Sequence, residues 1–274
     1  MSKVTTLGNS FGRLAVPAAR RMVRPMRPIV KTGAGRNISL SNGLTLWTPR
    51  EIRAMAARYT VREIFEGERY RHPGFELAPG DNVIDIGANI GVFALWAAPR
   101  IPGGRILAVE PSPVVFDCLR RNVELNGLDR VDLVNAAVGR DGATLDFVYN
   151  SRWPTMGHAK GLSPSKVLLT NHKHDIYQQV PTVSLATMMD RYEMDRVHYL
   201  KVDCEGGEFD IFREMDSDHW RRIDKIGAEF HEFAPDLDRR ELVQILEAEG
   251  FEVEITQNWW EKVNKVGSLW ARRV

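Results

Sequence analysis

The sequence has few cysteines and no long apolar run. Its 274 residues include two cysteines, Cys118 and Cys204, each within a predicted regular element. A disulfide framework is therefore not expected, and a reducing, cytoplasmic location is the default. No apolar run approaches the roughly 18–20 residues of a membrane span, and no secretory signal is expected. Without a cysteine pair or a His-x₃-His motif, a structural zinc site has no support.

Acidic residues are absent from the first 50 residues, which contain nine basic ones. Because the whole chain has a net charge of +1, the remainder is acidic overall. The basic segment could contact nucleic acid, an anionic membrane or an acidic partner, and it also resembles a transit peptide or a solvated tail. The acidic remainder argues against a dedicated nucleic-acid binder. The oligomeric state is left open, with a homodimer as one option.

Residues 1–75 are predicted to form a basic N-terminal arm followed by a helical and hairpin cap. A short helix is expected at Leu14–Val23. Alternating polar and apolar positions predict a hairpin at Ile38–Trp47, and helical spacing follows over Glu51–Arg69. We expect this cap to cover one face of the domain that follows.

Residues 76–274 alternate strand and helix patterns and are predicted to form the main domain. Strands are expected at 82–86, 105–110, 131–135, 197–203, 225–231, 251–256 and 266–272, and helices at 91–99, 113–126, 207–215 and 236–249. Strands separated by helices imply right-handed parallel crossovers and a doubly wound sheet. The two closely spaced C-terminal strands imply an antiparallel finish, which is typical of methyltransferase sheets.

One segment, 150–179, interrupts this alternation. It is predicted to be irregular and contains three histidines and several aromatic residues. A loop of this length inside a compact domain is usually functional or disordered. We expect it to act as a lid over the substrate, with a mobile surface insertion as the alternative.

A glycine turn follows the first strand of this domain, directly after an acidic residue. Asp85 closes the apolar run, Gly87 begins the turn, and Gly91 opens a helix-like segment. Glycine allows backbone N–H groups to approach a ligand closely. Dinucleotide-binding turns need a third glycine, and a carboxylate at position 85 would repel a pyrophosphate. The pattern therefore favours S-adenosyl-methionine, which carries an ammonium and a sulfonium group.

A second acidic residue, Glu110, lies 25 positions after Asp85, at the end of the next predicted strand. In a βαβ unit this spacing places a carboxylate where it can accept hydrogen bonds from both hydroxyl groups of a ribose. A nicotinamide enzyme uses the same arrangement, so Glu110 alone indicates a nucleoside. Together with Asp85, it favours S-adenosyl-methionine.

Ionisable side chains also end two later strands. Lys201 and Asp203 project to the same side of one strand, and Glu205 lies in the turn after it. Glu229 and His231 share a face of the next strand. Methyl transfer requires alignment of donor and acceptor and removal of a proton, so we expect His231 or Asp203 to be the base. Lys201 could hold an alkoxide or pair with Asp203. The carboxylates and the imidazole could also bind a divalent cation, or form a structural ion-pair cluster, but no metal is expected.

These segments resemble the FkbM family of S-adenosyl-methionine-dependent methyltransferases over roughly residues 60–256. The motifs are Val83-Ile-Asp-Ile-Gly-Ala-Asn-Ile-Gly91, Val109-Glu-Pro-Ser112, Asn135-Ala-Ala-Val138, Val183-Ser-Leu185, Leu200-Lys-Val-Asp-Cys-Glu-Gly-Gly-Glu208 and Glu229-Phe-His231. The resemblance implies a class I, Rossmann-like methyltransferase fold with a mostly parallel seven-stranded sheet. It also implies that the donor contacts Tyr70, Asp85, Gly87, Ala88, Asn89, Gly91, Glu110, Pro111, Ser112, Ala136, Ala137 and Asp203.

The function predicted from the sequence is S-adenosyl-methionine-dependent O-methylation of a small molecule or natural-product intermediate. Four alternatives stay open besides this one. N-methylation of an amine or a peptide natural product is the nearest, followed by methylation of ribose or RNA. The third, from another class, is a module that binds S-adenosyl-methionine without catalysis. A nicotinamide oxidoreductase is the most distant alternative.

Overall fold

The computed structural model describes residues 35–50, 52, 54–67, 69–150, 153–160 and 175–274. The helix expected at 14–23, most of the basic arm, and His172 and His174 lie outside the described residues. The strands are, in chain order, β1 (Gly35–Ser39), β2 (Thr45–Pro49), β3 (Asn82–Ile86), β4 (Arg105–Val109), β5 (Val131–Val134), β6 (Ala137–Val138), β7 (Thr144–Asn150), β8 (Trp153–Ala159), β9 (Asp175–Val183), β10 (Tyr199–Val202), β11 (Lys225–His231), β12 (Phe251–Thr256) and β13 (Val266–Arg273).

The helices cover both faces of the main sheet. They are α1 (Ala54–Val61), α2 (Val92–Ala97), α3 (Pro113–Leu125), α4 (Leu185–Arg191), α5 (Glu208–Glu214), α6 (Ser217–Trp220), α7 (Arg239–Ala248) and α8 (Trp259–Asn264). A π-helical turn, Arg62–Glu66, continues α1, and a 3₁₀ turn, Ala98–Arg100, continues α2. None of the described helices combines the length and apolar character needed to cross a membrane.

The main sheet has seven strands in the order β12-β13-β11-β10-β3-β4-β5. Strands β11, β10, β3, β4 and β5 are parallel neighbours, whereas β13 runs antiparallel to both β11 and β12. The predicted doubly wound sheet with an antiparallel finish is therefore confirmed. The chain progresses in one direction from β3 to β5 and in the other from β10, so the order reverses between β3 and β10. Ligands of open α/β sheets bind at this kind of reversal.

Two apolar clusters pack on opposite faces of the sheet. One contains Phe93 and Trp96 of α2, with residues of α1, α3 and the β1–β2 hairpin. The other contains Phe209 and Phe212 of α5, with residues of α4, α6 and α7. Burial of both faces explains why β3 and β10 are apolar almost throughout, since neither has a solvent face.

The predicted hairpin is present as β1 and β2, and two asparagines of α3 hold it against the domain. Asn122 Oδ1 accepts the N–H of Trp47 (2.6 Å), and its Nδ2 donates to the Trp47 carbonyl oxygen (3.0 Å) and to that of Ile90 (2.8 Å). Asn126 makes the same pair of bonds with the backbone of Thr45. The side-chain amides thus act as hydrogen-bonding partners for a strand that lacks a neighbour on that side.

The segment 150–179 differs from its predicted irregular structure. It includes β8 and part of β9, which pair antiparallel with β7 on its two sides, and β9 also pairs with β6. These strands contain Pro154, Gly157 and Pro181, residues that disfavour strands. Pairing with β7 overrides the weak local preference, so sequence pattern alone missed both strands.

Candidate functional site

The ends of β3, β10 and β11 meet at the reversal point of the sheet. Lys201 on β10 lies opposite Asp85 on β3 and Gly227 on β11 in the register of the strands. Parallel pairing brings the carboxyl ends of all three strands to the same edge. Asp203, Glu205 and His231 follow or close those strands, so the structure brings together the ionisable residues that the sequence singled out.

The glycine turn after β3 is tied to the protein backbone. The N–H groups of Gly87 and Ala88 both donate to the Val109 carbonyl oxygen, at 3.0 and 2.9 Å. The N–H of Asn89 donates to Glu110 Oε2 (3.0 Å), and the Gly91 N–H donates to the Ala88 carbonyl oxygen (2.9 Å). The expectation of bare N–H groups facing a ligand is therefore wrong for these positions.

Close packing against β10 explains why glycine is required at 87. Gly87 has φ +74°, and a Cβ there would lie 1.8 Å from the Asp203 carbonyl oxygen. Neither the backbone angle nor the space admits another residue. The turn thus sets the spacing between β3 and β10, which fixes the width of the crevice.

Asp85 is paired with a lysine of the protein, although a positively charged ligand was the expected partner. Its side chain is fully buried, and its Oδ1 lies 2.9 Å from Lys201 Nζ, itself only 3% exposed. Lys201 also donates to the Gly87 carbonyl oxygen (2.8 Å). A buried carboxylate requires a cation nearby, and the facing strand supplies one. Burial alone would lower the pKa of Lys201, but Asp85 and Asp203 raise it above its usual value.

Glu110 lies at the end of β4, with both carboxylate oxygens turned to the backbone. Oε2 accepts the Asn89 N–H, and Oε1 accepts the Ser112 N–H at 2.9 Å. Burial raises the pKa of Glu110 to about 7 despite these two bonds. Asn135, which was not predicted as a site residue, donates to the Glu110 and Pro111 carbonyl oxygens at 2.8 and 3.1 Å and so joins the ends of β4 and β5.

Unpartnered polar atoms show that this edge suits a polar ligand. Ser112 Oγ and Asp85 Oδ2 are buried and accept no hydrogen bond from the described residues. Glu110 retains further lone pairs for hydroxyl donors. Ala136 and Ala137, which follow β5, are buried and offer an apolar surface. These residues fit a nucleoside such as that of S-adenosyl-methionine.

His231 lies at the centre of the second group of predicted residues. Its ring is 3% exposed, and Nδ1 is 3.0 Å from Glu208 Oε1. Nε2 is directed toward two further carboxylates, 3.7 Å from Glu205 Oε2 and 3.8 Å from Glu229 Oε1. Glu208 is fixed by the backbone N–H groups of Cys204 and Gly206, both at 3.0 Å. The Asp203, Glu229 and His231 side chains each present one nitrogen or oxygen atom within 4.8 Å of the others.

Residues that precede the main domain contact the carboxylates around His231. The Tyr70 hydroxyl donates to Asp203 Oδ2 (3.0 Å), which agrees with the expected position of Tyr70 at the site. Arg69 pairs with Glu229 and lies 3.1 Å from Glu63 Oε1. Sequence reasoning missed Arg69 and Glu63 because neither belongs to a strand end. It also gave Glu208 no role, although Glu208 ends the Lys-x-Asp-x-Glu-Gly-x-Glu motif.

The pKa values of the side chains around His231 differ from those of the same residues in water. Burial would lower the pKa of His231, but Glu208, Glu205 and Glu229 raise it to about 10. Burial raises the pKa of Glu205 to about 8 and, together with Asp203, that of Glu229 to about 7. Burial would also raise the pKa of Asp203, but Lys201 and His231 lower it. In the ligand-free protein His231 is therefore an imidazolium at neutral pH, which does not suit it as the base.

The chain is similar in sequence to known methyltransferases. Residues 85–253 match the family model described as Methyltransferase FkbM domain. Methyltransferase 1 of Beauveria bassiana is 30% identical over 175 residues, 58% of this chain and 67% of that protein. Methyltransferase sdnD of Sordaria araneosa is 26% identical over 81% of this chain and 92% of its own length.

A bacterial relative has a higher identity over a shorter stretch. The 31-O-demethyl-FK506 methyltransferase FkbM of Streptomyces tacrolimicus is 45% identical over 85 residues, which is 31% of this chain and 32% of that protein. The family match covers most of the main domain, including the turn after β3 and the residues around His231. The chain belongs to the FkbM methyltransferase family and is an S-adenosyl-methionine-dependent methyltransferase.

Proposed function

We propose that the protein methylates a hydroxyl group of a small molecule, a natural-product intermediate, at the carboxyl ends of β10 and β11. The proposal rests on the position of the Glu205 carboxylate. Its side chain is 18% exposed, lies 3.7 Å from His231 Nε2, and makes no hydrogen bond with any described residue. Because burial raises its pKa to about 8, its ionised form, which predominates above about pH 8, is a stronger base than an ordinary carboxylate and can accept the proton of a substrate hydroxyl.

The donor is proposed to lie along the edge between β10, β3 and β4. Glu110 would accept hydrogen bonds from the ribose hydroxyls, and Ser112 and Asp85 have unpartnered oxygens nearby. When bound, S-adenosyl-methionine supplies a methyl group activated by its sulfonium. The contacting residues are proposed to be those expected from the sequence, namely Tyr70, Asp85, Gly87, Ala88, Asn89, Gly91, Glu110, Pro111, Ser112, Ala136, Ala137 and Asp203.

Glu205 is the proposed base in place of His231 or Asp203. Asp203 accepts a bond from Tyr70 and lies 4.0 Å from Lys201 Nζ, and both contacts stabilise its ionised form and weaken it as a base. His231 is engaged with Glu208. Glu205 has φ +54°, an uncommon backbone conformation for a residue other than glycine, which holds its carboxylate at the turn after β10.

The charge of the site favours a hydroxyl acceptor over an amine. Asp203, Glu205, Glu208 and Glu229 surround the open position beside His231. Neighbouring carboxylates raise the pKa of an ammonium group, so a bound amine would retain its proton and lack the lone pair needed for methylation. The FK506 relative, as its name states, is a methyltransferase for a 31-O-demethyl compound, so its methylated atom is an oxygen.

The test compares turnover with donor affinity. The purified chain is incubated with S-adenosyl-methionine and matched panels of hydroxylated and amine compounds, and S-adenosyl-homocysteine formation is measured. We expect turnover with hydroxylated compounds alone, and a loss of about 10²–10⁴-fold in Glu205→Gln. Calorimetric affinity for S-adenosyl-homocysteine should change less than about twofold. Glu247→Gln, an exposed glutamate on α7, is the matched control. Turnover with amines alone, or full activity of Glu205→Gln, would reject the proposal.

A further inference from the structure

The carboxylates around His231 lack sufficient cationic partners within the described part of the chain. Asp203, Glu205 and Glu229 face the same position as His231 Nε2. Lys201 is engaged with Asp85 at 2.9 Å, and Arg69 is shared between Glu229 and Glu63. Even with His231 protonated, one imidazolium and one shared arginine face the four carboxylates of Asp203, Glu205, Glu208 and Glu229. The remaining negative charge is what a bound metal ion, taking the place of the proton on His231 Nε2, would neutralise.

The orientation of His231 is that of a metal ligand. Its Nδ1 is held at 3.0 Å by Glu208 Oε1, and Glu208 is fixed by two backbone N–H groups. Metal-binding histidines characteristically donate one ring N–H to a carboxylate, which fixes the ring and directs the other nitrogen toward the ion. His231 Nε2 is so directed: the ring is 3% exposed, and no described residue lies within hydrogen-bond distance of this nitrogen.

The side chains of Asp203, Glu229 and His231 lie nearly close enough together to bind one metal ion. One ligand atom each from Asp203, Glu229 and His231 lies within 4.8 Å of the others. Ligands bound at about 2.0–2.2 Å are at most about 4.4 Å apart, so small side-chain movements would complete the site. The carboxylate of Asp203 is 29% exposed, which leaves the ion an open side toward the crevice.

We propose that Asp203, Glu229 and His231 bind a divalent transition-metal ion, Mn²⁺ or Zn²⁺. An imidazole nitrogen favours these ions over Mg²⁺ and Ca²⁺, which prefer oxygen ligands alone. The role of the ion in the reaction rests on the proposed function: it holds the oxygen of the acceptor hydroxyl and lowers its pKa, so that Glu205 removes the proton more readily. Its binding does not depend on that function.

The experiment measures metal binding by the full chain without any substrate. Chelator-treated protein is titrated with Mn²⁺, and the electron paramagnetic resonance signal of free Mn²⁺ is followed, with excess Mg²⁺ as competitor. We expect one Mn²⁺ bound per chain and little displacement by Mg²⁺. The Asp203→Asn and His231→Gln variants should bind at least about tenfold more weakly, and Glu208→Gln about 10–100-fold more weakly.

His219→Gln is the matched control, because His219 also lies beside two carboxylates, Asp216 and Asp190, but on the exterior. It should bind Mn²⁺ as the unaltered protein does. No binding up to roughly 1 mM, the weak end of specific divalent-cation sites, would overturn the proposal. So would equal binding by Asp203→Asn, a change that conserves the size of a partly exposed side chain. Calorimetry with S-adenosyl-homocysteine on His231→Gln, whose altered side chain is not a proposed donor contact, separates loss of the metal site from failure of the proposed function.

Discussion

At the scale of single residues, the buried carboxyl of Glu110 links pH to stability and to donor binding. Its pKa is raised from 4.5 to about 7 because it is buried. The folded state therefore holds this proton more tightly than the unfolded chain. The contribution of Glu110 to stability is full below about pH 4.5 and is lost as the pH rises toward 7. Well above pH 7 the carboxyl is ionised in both the folded and the unfolded state, so the free-energy cost of burying its charge no longer changes with pH.

Donor binding should strengthen as the pH rises, whereas the contribution of Glu110 to stability falls. Ribose hydroxyls donate hydrogen bonds to the ionised form of Glu110, so affinity for S-adenosyl-homocysteine should increase about tenfold between pH 6 and pH 8. Calorimetry at both pH values measures this. Asp85 and Lys201 also act on Glu110 electrostatically, so Glu110→Gln is the decisive comparison. An equally steep dependence in Glu110→Gln would assign the titration to another group.

The buried pair of Asp85 and Lys201 predicts a strongly non-additive pair of substitutions. Removal of one partner leaves an uncompensated charge in the core, so Lys201→Met or Asp85→Leu alone should lower the free energy of unfolding by about 3–5 kcal/mol. The double variant should lose less than the sum of the two, because both charges are gone. Urea denaturation of the four proteins measures this coupling. Additive losses would show that the two side chains do not act as a pair.

The sequence was enough to identify the ionisable residues at the strand ends. It was not enough to predict which side chains they pair with. Asp85, Glu110, Asp203 and His231 were all identified, because each ends a strand of the predicted sheet. The orientation of Asp85 was not, because Lys201 is 116 positions away and only the register of β3 and β10 brings it opposite. A sequence pattern places a residue at an edge, whereas its charge partner depends on tertiary packing.

At the scale of elements, one of the two asparagines that attach the N-terminal hairpin is fully buried. Asn122 is fully buried and bonds three backbone groups, two of them on Trp47. Asn122→Ala should lower the free energy of unfolding by about 2–4 kcal/mol, since buried backbone groups lose their partners. Urea denaturation measures this, with Glu124→Ala on the exposed side of the same helix expected within about 0.5 kcal/mol of the original. A loss below about 1 kcal/mol for Asn122→Ala would show that the hairpin is held by apolar contacts.

Elements of the main sheet were predicted almost to the residue, and the N-terminal hairpin was predicted too, but the strands paired with β7 and several short helices were not. Strand β3 and helix α3 have strong periodicity and clear ends, so local pattern and fold agree. Strands β8 and β9 have weak patterns and form by pairing with β7. Helix α4 was missed although Ser184 caps it by accepting the Thr187 N–H at 3.1 Å, a contact that the order Ser-x-x-Thr could have suggested.

At the scale of the whole molecule, aromatic side chains border the catalytic edge on two sides. Tyr59 of α1 is 61% exposed, and Trp259 and Trp260 of α8 are 78% and 52% exposed. Glu63, which follows α1, is paired through Arg69 with Glu229 of β11, and α8 ends two residues before Val266, which lies opposite His231. Both helices are therefore joined to the carboxyl end of β11. Exposed aromatic residues beside a polar site are typical of surfaces that contact an apolar ligand. We therefore expect the acceptor to have an apolar body in addition to its hydroxyl group.

Replacement of these tryptophans should affect the acceptor and leave the donor unaffected. In Trp259→Ala/Trp260→Ala, the KM for the acceptor found in the hydroxyl panel should rise about fivefold to thirtyfold, equivalent to 1–2 kcal/mol of lost contact. Affinity for S-adenosyl-homocysteine should be unchanged, because neither side chain lies at the β3–β4 edge. Leu125→Ala, an exposed apolar residue at the end of α3, is the control and should leave both values unchanged. An unchanged KM in the double variant would exclude α8 from the acceptor surface and leave the α1 side of the crevice to bind the apolar body.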